Sequence, residues 1–306
     1  MSVVIPSHAR PDLLALCLAS VKRFAPPGTE IIVVDDGSPH GCISQRAAAV
    51  DGVKVVRRSR AGGFCAAANA GIAVASAPVV ELLNDDSEVT PGWAEAALAW
   101  FADRRIAAVA PLVLQNDPIR RQRGLPPRID TAGDDYDFGG FARKRGHGLL
   151  WPLSACPTVD CSPQPESWRH APFPAPEFVF GASACAAFYR RDALLAAGGF
   201  PEHFGAYFED IDLSFRLQRL GGRIVYEPRS VVWHRLSSSY GRKPGRRTLE
   251  RQSCNEERVF WRNVRGRLRW KYLPRHAAVL AGKAMRRFQE GTFLPWLMGR
   301  LRAVAG

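Results

Sequence analysis

The sequence predicts an α/β chain built on a mostly parallel sheet with helices on both faces. Three observations lead there. Short β-branched runs alternate with segments whose apolar residues recur at spacings of three and four. The runs themselves are nearly continuous in apolar residues, as strands buried on both faces should be. Finally, 306 residues with 46% hydrophobic content can bury a substantial core.

In chain order, SVVIPS (2–7) is the first predicted strand and DLLALCLASVKRF (12–24) the first helix. EIIVVDDGS (30–38) is a second strand, bounded by Asp and Gly, followed by a polar, Ala-bearing stretch to Val50. VKVVRRS (53–59) makes a third strand, AAANAGIAVAS (66–76) a helix and PVVELLN (78–84) a fourth strand. Pro91 then leads into a helix over EAALAWFADRR (95–105). Ligands of such sheets bind beyond the carboxyl ends of the strands. Ser7 to Arg10, Asp35 and Asp36, Arg60, and Asn84 to Asp86 are therefore expected around one cleft.

From Gln115 to Phe180 the periodicity gives way to Pro-, Gly- and Arg-rich sequence such as RRQRGLPPR and CPTVDCSPQPES. Long loops are predicted there. Regular structure resumes over 178–199, with a helix-like segment after Gly181, Ala182 and Ser183. A further helix is predicted in EDIDLSFRLQRLGG (209–222), stopped by its Gly pair, and RIVYEP and SVVWH read as strands.

Charge divides the chain unevenly. Residues 235–306 hold 18 Lys and Arg against 4 Asp and Glu, whereas residues 1–234 hold 24 against 25. The tail thus asks for a polyanionic partner: a membrane surface, a nucleic acid or a phosphorylated substrate. Seven scattered cysteines, odd in number and mostly in apolar or Ala-rich sequence, suggest reduced thiols rather than a disulfide framework. Cys156 and Cys161 lack the second pair that a zinc site needs. The opening MSVVIPS is strand-like and carries no charged leader, and no run approaches the ~20 apolar residues of a membrane span; a cytoplasmic chain is expected.

Three motifs carry chemistry, and each has a plain structural reading beside it. Two adjacent carboxylates, as in VVDDGS and LLNDDSE, repel one another and want a cation, an Arg or hydrogen-bond donors nearby; Asp-Asp-Gly-Ser is also an ordinary turn. Glu209, Asp210 and Asp212 in YFEDIDLSFR stand where acidic residues commonly favour a helix N-terminus. A lone His234 after a strand is more often structural than a ligand.

Taken together and in order, SVVIPSHAR, EIIVVDDGS, RAGGFCAAANAGI, LLNDDSEVTPGW, GGFPEHFGAYFEDIDLSFRLQRLGG and VVWHR resemble family 2 glycosyltransferases of the GT-A (Rossmann-like) fold, and in particular bacterial rhamnosyltransferase-like members. The resemblance covers about residues 1–240. It implies a GT-A catalytic domain over 1–240, with a nucleotide-binding half at 1–114 and a loop-rich acceptor and donor-sugar half at 115–240. It further implies that Ser7, Arg10, Asp35 and Asp36 contact the nucleoside, Asp36 reaching the base, and that Arg60 and Asn69 line the nucleotide pocket. The family often has Asn where Ala9 stands. Asn84, Asp85 and Asp86 fall at the family's DXD-type position with Asn in place of the first Asp; Asp85 is assigned to ribose or sugar and Asp86 to a metal, Mg²⁺ or Mn²⁺, with His234 as a further ligand. Gly181 and Ser183 match a stretch near the donor sugar. Asp210 matches the general base of an inverting displacement, with Glu209 orienting acceptor or sugar. IDTAGDDYDFGG (129–140) resembles a loop of the rhamnosyltransferase-like members, with acceptor binding as its suggested role.

Residues 241–306 are expected to form a basic, amphipathic helical extension. Ala277, Leu280, Ala281, Ala284 and Phe288 share one helical face, off which lie Lys283, Arg286 and Arg287; Trp270, Tyr272, Phe293 and Trp296 add amphipathic aromatics. Two readings stand: attachment to an anionic membrane surface at the inner face of the cell membrane, or packing of the apolar face on the catalytic domain. The expected activity is inverting, metal-dependent transfer of a sugar, rhamnose being one candidate, from a nucleoside-diphosphate donor to a glycan or polyprenyl-linked acceptor in cell-surface polysaccharide synthesis. A nucleotide-sugar-binding protein without catalysis, and a nucleic-acid-binding tail, are the alternatives; no nucleic-acid motif supports the latter.

Overall fold

The computed structural model describes residues 1–152, 171–235 and 244–305. The first half alternates as expected, with α2 and β5 as additions: β1 (Ser2–Ser7), α1 (Pro11–Phe24), β2 (Glu30–Asp35), α2 (Cys42–Ala48), β3 (Val53–Arg57), α3 (Phe64–Val74), β4 (Val79–Leu82), β5 (Ser87–Val89) and α4 (Trp93–Leu98). Helix α1 shows why. Pro11 opens it, Asp12 sits in its first turn and Lys22 and Arg23 in its last, and Leu14, Cys17, Leu18 and Val21 form the buried stripe.

The second half runs β6 (Ile106–Gln115), α5 (Pro118–Gln122), β7 (Ile129–Thr131), β8 (Asp134–Asp137), β9 (Phe141–Lys144), β10 (Glu177–Phe178), β11 (Phe188–Arg190), α6 (Arg191–Ala196), α7 (Glu209–Arg219) and β12 (Arg223–His234). Here the structure corrects three expectations. The region 115–180 holds short strands as well as loops. The segment after Ser183 is not helical until Arg191; β11 instead lies antiparallel between β4 and β6. RIVYEP and SVVWH are one strand, with a register shift between Glu227 and Val231. Cys156 and Cys161 lie outside the described residues; the five described cysteines are free.

The sheet runs β10-β12-β6-β11-β4-β1-β2-β3. β1 pairs in parallel with β2 and β4, β2 with β3, and β6 with β12. Two buried layers cover it, one centred on α3, α6 and α7, the other on α1, α2 and α4. Helix α3 lies so close to β1 and β2 that a Cβ on Gly71 would come within 2.3 Å of Val4 and 2.9 Å of Val34.

Three helices follow: α8 (Arg246–Asn263), α9 (Gly266–Gln289) and α10 (Phe293–Ala305). The expected division at residue 240 falls outside the described residues, and α8 beyond it shares the main core through Val259. Arg262 and Asn263 hydrogen-bond Asp212 of α7 at 3.1 and 2.8 Å. On α9 the expected apolar face is not the packed one. His276 is its buried residue, stacked on Phe260 with centroids 3.7 Å apart, while Ala277 and Ala281 are exposed and Phe288 is 76% exposed. The reason lies opposite. Glu256 and Glu257 of α8 are met by Lys283, His276 and Arg300, and a buried carboxylate accepts a polar face as its neighbour more readily than an alanine stripe.

Candidate active site

A cavity of about 880 Å³ opens at the carboxyl ends of β1 and β4. The expected convergence is present: Ser7, Arg10, Asp36, Asn84, Asp85, Ser183, Glu209, Asp210 and His234 all line it. Asp86 stands directly behind, in contact with Arg10 and His234. Asp35, Arg60, Asn69 and Gly181 do not belong to the lining; Asp35, Asn69 and Gly181 have structural contacts instead.

Asp35 is fully buried. Its oxygens accept hydrogen bonds from Ser38 N (2.7 Å), Ser44 N (3.1 Å) and the Ser44 hydroxyl, so it ties the turn after β2 to the first turn of α2. Burial pushes its carboxyl up, but these bonds outweigh that and leave it lower than usual. Asp36 instead faces the cavity. Gly62 N (3.0 Å), Gly63 N (2.8 Å) and the Arg58 guanidinium donate to its carboxylate. Arg58, not Arg60, is therefore the basic partner here; Arg60 is exposed. Gly63 holds φ +86, and a Cβ there would press within 3.0 Å of the Gly205 carbonyl, so only glycine brings its N–H to Asp36. Asn69 pairs its carboxamide with both main-chain groups of Phe200, at 2.8 Å each way, stapling α3 to the loop after α6. Gly181 bridges to Asp134, and a Cβ on it would meet Ser214 Oγ at 2.9 Å.

At the end of β4, Arg10 spans both carboxylates, reaching Asp86 at 2.7 Å and also contacting Asp85. Ser7 donates to Asp85 Oδ2 at 2.6 Å. Burial dominates Asp85 and raises it despite Arg10, whereas His234 and Arg10 together overcome burial at Asp86 and lower it. Asp86 Oδ1 lies 3.2 Å from His234 Nε2, yet this buried oxygen makes no well-aligned hydrogen bond. Asn84 Nδ2 comes within 3.5 Å of the same nitrogen. His234 Nδ1 faces Asp130 Oδ2 at 3.0 Å. Burial opposes charge on the imidazole, but the two carboxylates prevail and push it up to about 9.

Across the cavity, α7 starts at Glu209 directly after two residues in the left-handed region, Tyr207 (φ 75) and Phe208 (φ 67), a strained approach for non-glycine residues. Asn255 of α8 braces it, donating to the carbonyls of Phe204, Ala206 and Tyr207 at 2.9–3.0 Å. Asp210 accepts from Ile211 N (2.9 Å) and Ala184 N (3.3 Å). Burial raises its carboxyl despite these bonds. Glu209, buried beside it, is pushed up to about 8 by burial and then by Asp210, and its Oε2 has no hydrogen bond. Asp134 is likewise pushed to about 8 by burial and Asp210. Asp212, the third acid of the motif, is structural and pairs with Arg216 at 2.8 Å.

Sequence reasoning missed Arg58, Asp130, Asp134 and Lys144. Asp130 and Asp134 lie in the singled-out IDTAGDDYDFGG stretch; Lys144, across the β8–β9 hairpin, carried no sequence signal. Asp130, Cys185 and His234 bring three ligand atoms within 4.8 Å of one another. Lys144 Nζ, 3.0 Å from Asp130, already supplies a cation on that side. The extension also reaches the cavity, contributing Leu249, Glu256, Lys283, Arg286, Arg287 and Trp296.

A family model described as glycosyl transferase family 2 matches residues 2–161. Among curated proteins, the pre-mycofactocin glycosyltransferase of Mycobacterium tuberculosis is 30% identical over 243 residues, 76% of this chain and 42% of that protein. The N-acetylglucosaminyl-diphospho-decaprenol L-rhamnosyltransferase of the same organism is 27% identical over 267 residues, 80% of this chain and 78% of that protein. The chain thus spans about two fifths of the length of the former. Similar solved structures include GalNAc-T7 with UDP, GalNAc and Mn²⁺ (TM-score 0.60, 21% identity, 84% of this chain and 47% of that one). A second is the mannosyltransferase PcManGT from Pyrobaculum calidifontis with GDP-Man and Mn²⁺ (TM-score 0.58, 16% identity, 99% and 86%). These likenesses give the fold, which is the GT-A arrangement expected from the sequence. With the family model covering more than half of its length, the chain belongs to glycosyl transferase family 2.

Proposed function

We propose that this chain is an inverting, divalent-metal-dependent glycosyltransferase. It moves a sugar from a nucleoside-diphosphate donor to a glycan or polyprenyl-linked acceptor in cell-surface polysaccharide synthesis. The observation that carries this reading is the sharing of one cavity by Asp36, Asp85, His234 and Asp210. Rhamnose is the leading donor sugar, supported by the likeness to the mycobacterial L-rhamnosyltransferase across most of that protein's length.

The residues fit a hard divalent cation, Mg²⁺ or Mn²⁺. Asp86 Oδ1 is a buried, unbonded carboxylate oxygen beside an imidazole nitrogen, a donor set such ions accept. Asp86 and His234 would hold the ion, which when bound neutralises charge developing on the departing diphosphate. Asp36 accepts a hydrogen bond from the imide of a pyrimidine base, and Asp85 with Ser7 orients ribose or sugar. Ser183 stands near the donor sugar. Asp210 takes the proton of the acceptor hydroxyl as that oxygen bonds to the anomeric carbon; the bond to the diphosphate breaks from the opposite side, and its electron pair leaves with the diphosphate. Burial makes Asp210 a stronger base than an exposed carboxylate. Glu209 orients acceptor or sugar beside it.

Thermal stabilisation by a panel of nucleotide sugars with Mg²⁺ or Mn²⁺ identifies the donor by mass action. Asp210→Asn is expected to keep that stabilisation and lose transfer. Full activity in this variant would overturn the base assignment.

The extension supports attachment to an anionic membrane surface. Trp270, Met285, Phe288, Leu294, Leu301 and Val304 are exposed on α9 and α10, in a segment with 17 Lys and Arg against 4 acidic residues over 241–306, the pairing of apolar and basic groups that interfacial helices use. No helix among the described residues is long and apolar enough to cross a membrane. The full chain is expected to float with phosphatidylglycerol vesicles, and Trp270→Glu with Phe288→Glu to reduce that flotation. Undiminished flotation would remove this reading.

A further inference from the structure

We infer that Asp130 is a positioning residue that fixes which nitrogen of His234 faces Asp86, and so readies the imidazole for a divalent cation. This rests on the proposed role of Asp86 and His234. Asp130 is fully buried at the centre of β7. β7 pairs with β6, Val113 opposite Thr131 and Leu114 opposite Ile129, and β6 pairs with β12, Gln115 opposite His234. Register across three strands therefore sets the two side chains against each other.

The imidazole lies between two carboxylates. Asp130 Oδ2 is 3.0 Å from Nδ1, and Asp86 Oδ1 is 3.2 Å from Nε2. An imidazole that ligates a cation keeps one N–H and offers one lone pair. With a carboxylate accepting from Nδ1–H, the lone pair is left on Nε2, the nitrogen directed at Asp86 and the cavity. Carboxylates that act on a ligating histidine in this way raise its basicity and hold its ring plane.

Asp130 is itself held. Lys144 Nζ lies 3.1 and 3.0 Å from its two oxygens, and His147 Nδ1 lies 3.3 Å from Oδ1 and 2.9 Å from its carbonyl. With its charge already met by an ammonium, Asp130 serves as an acceptor for His234 and not as a competing ligand. The sequence asks for this device at Asn84, where a third carboxylate is absent: fewer acidic ligands leave more to the histidine.

The test titrates the full chain with Mn²⁺ alone, following loss of the free-ion electron paramagnetic resonance signal. Equal affinity in wild type and His234→Ala overturns the underlying cation reading. Given a difference there, Asp130→Leu combined with Lys144→Met, which replaces the buried ion pair by apolar groups, is expected to weaken Mn²⁺ binding by about 10- to 100-fold. Wild-type affinity in that variant overturns the role of Asp130. Asp130→Asn combined with Lys144→Met keeps an acceptor for Nδ1–H and is expected to recover most of the loss; no recovery overturns the tautomer argument. A misfolded fraction lowers the number of sites filled, not the concentration at which they fill, so affinity separates positioning from structural support. Nitrogen-15 spectra of wild-type protein labelled at histidine, with Mg²⁺ bound, test the same point without any variant. The proton of His234 is expected on Nδ1, and a proton on Nε2 overturns the inference.

Discussion

Asp35 with Asp36 and Asp85 with Asp86 are the same dipeptide at the ends of two strands of one sheet, and the fold treats them in different ways. In the first pair, main-chain and serine donors consume Asp35, and only Asp36 looks into the cavity. In the second, a single guanidinium spans both acids, and the buried Oδ1 of Asp86 is left beside an imidazole. Direction decides the outcome more than donor type. Asp36 accepts from the fixed N–H groups of Gly62 and Gly63 much as Asp35 does from Ser38 and Ser44, yet it faces the cavity, and Asp86 keeps one oxygen without a well-aligned donor.

The largest expected difference between the pairs is in chemistry. Asp86→Ala is expected to lower transfer per folded molecule on the order of 10³-fold, the several kcal/mol a divalent ion contributes to a developing charge, along with the stability its buried contacts to Arg10 and His234 supply. Asp35→Ala is expected to cost stability alone, about 3 kcal/mol because three donors lose their acceptor, while activity per folded molecule is kept. Chemical denaturation beside initial rates checks both. The Asp35 carboxyl is lower in the folded chain than in the unfolded one, so its contribution is present above the ordinary value of about 3.9 and is lost as pH falls through the depressed value. The gap between wild type and Asp35→Ala should therefore narrow in acid.

A smaller effect separates two neighbouring arginines. Arg58→Ala is expected to weaken nucleotide affinity by about 10-fold by loosening Asp36, consistent with one charge-assisted bond, and Arg60→Ala to leave it unchanged; calorimetric titration with the nucleotide distinguishes them. Smallest per step is an acid within β4 itself, Glu81, buried with one hydrogen bond from Trp93 Nε1 at 2.9 Å and no ion-pair partner among the described residues. Burial raises its carboxyl well above the usual range. A raised folded value favours the fold at low pH, and that advantage is lost as pH climbs from about 4.3 toward the folded value. Glu81→Gln keeps the Trp93 bond and should gain on wild type by up to about 1.4 kcal/mol per pH unit over that window, a slope opposite to that of Asp35.

Strands β1 to β4 and their ends were legible because continuous apolar runs and their polar stops are local signals. The run IAAVAPLVLQ, which forms β6, passed unassigned because it directly follows the helix-like EAALAWFADRR. SACAAFYRR read as helical since small residues fit either period; antiparallel pairing with β4 and β6 decided it. The convergence of Asp36, Asp85, Glu209, Asp210 and His234 on one cavity was legible through motif order. Asp35, Arg60 and Asn69 were not, because side-chain direction after a strand end depends on which main-chain donors are within reach. Asp130 acquires its neighbours only when β7 joins β6, a contact that no local pattern announces.

Asn255 reaches from α8 to three carbonyls of the strained loop before Asp210. A ribosome delivers the chain from its N-terminus, and a domain folds as a unit once its parts have emerged. The loop that positions Asp210, the base of the proposed mechanism, therefore stays unbraced until residue 255 has been made. On that proposal, the base is set last, long after the strands that carry Ser7, Asp36 and Asp85 have been synthesised.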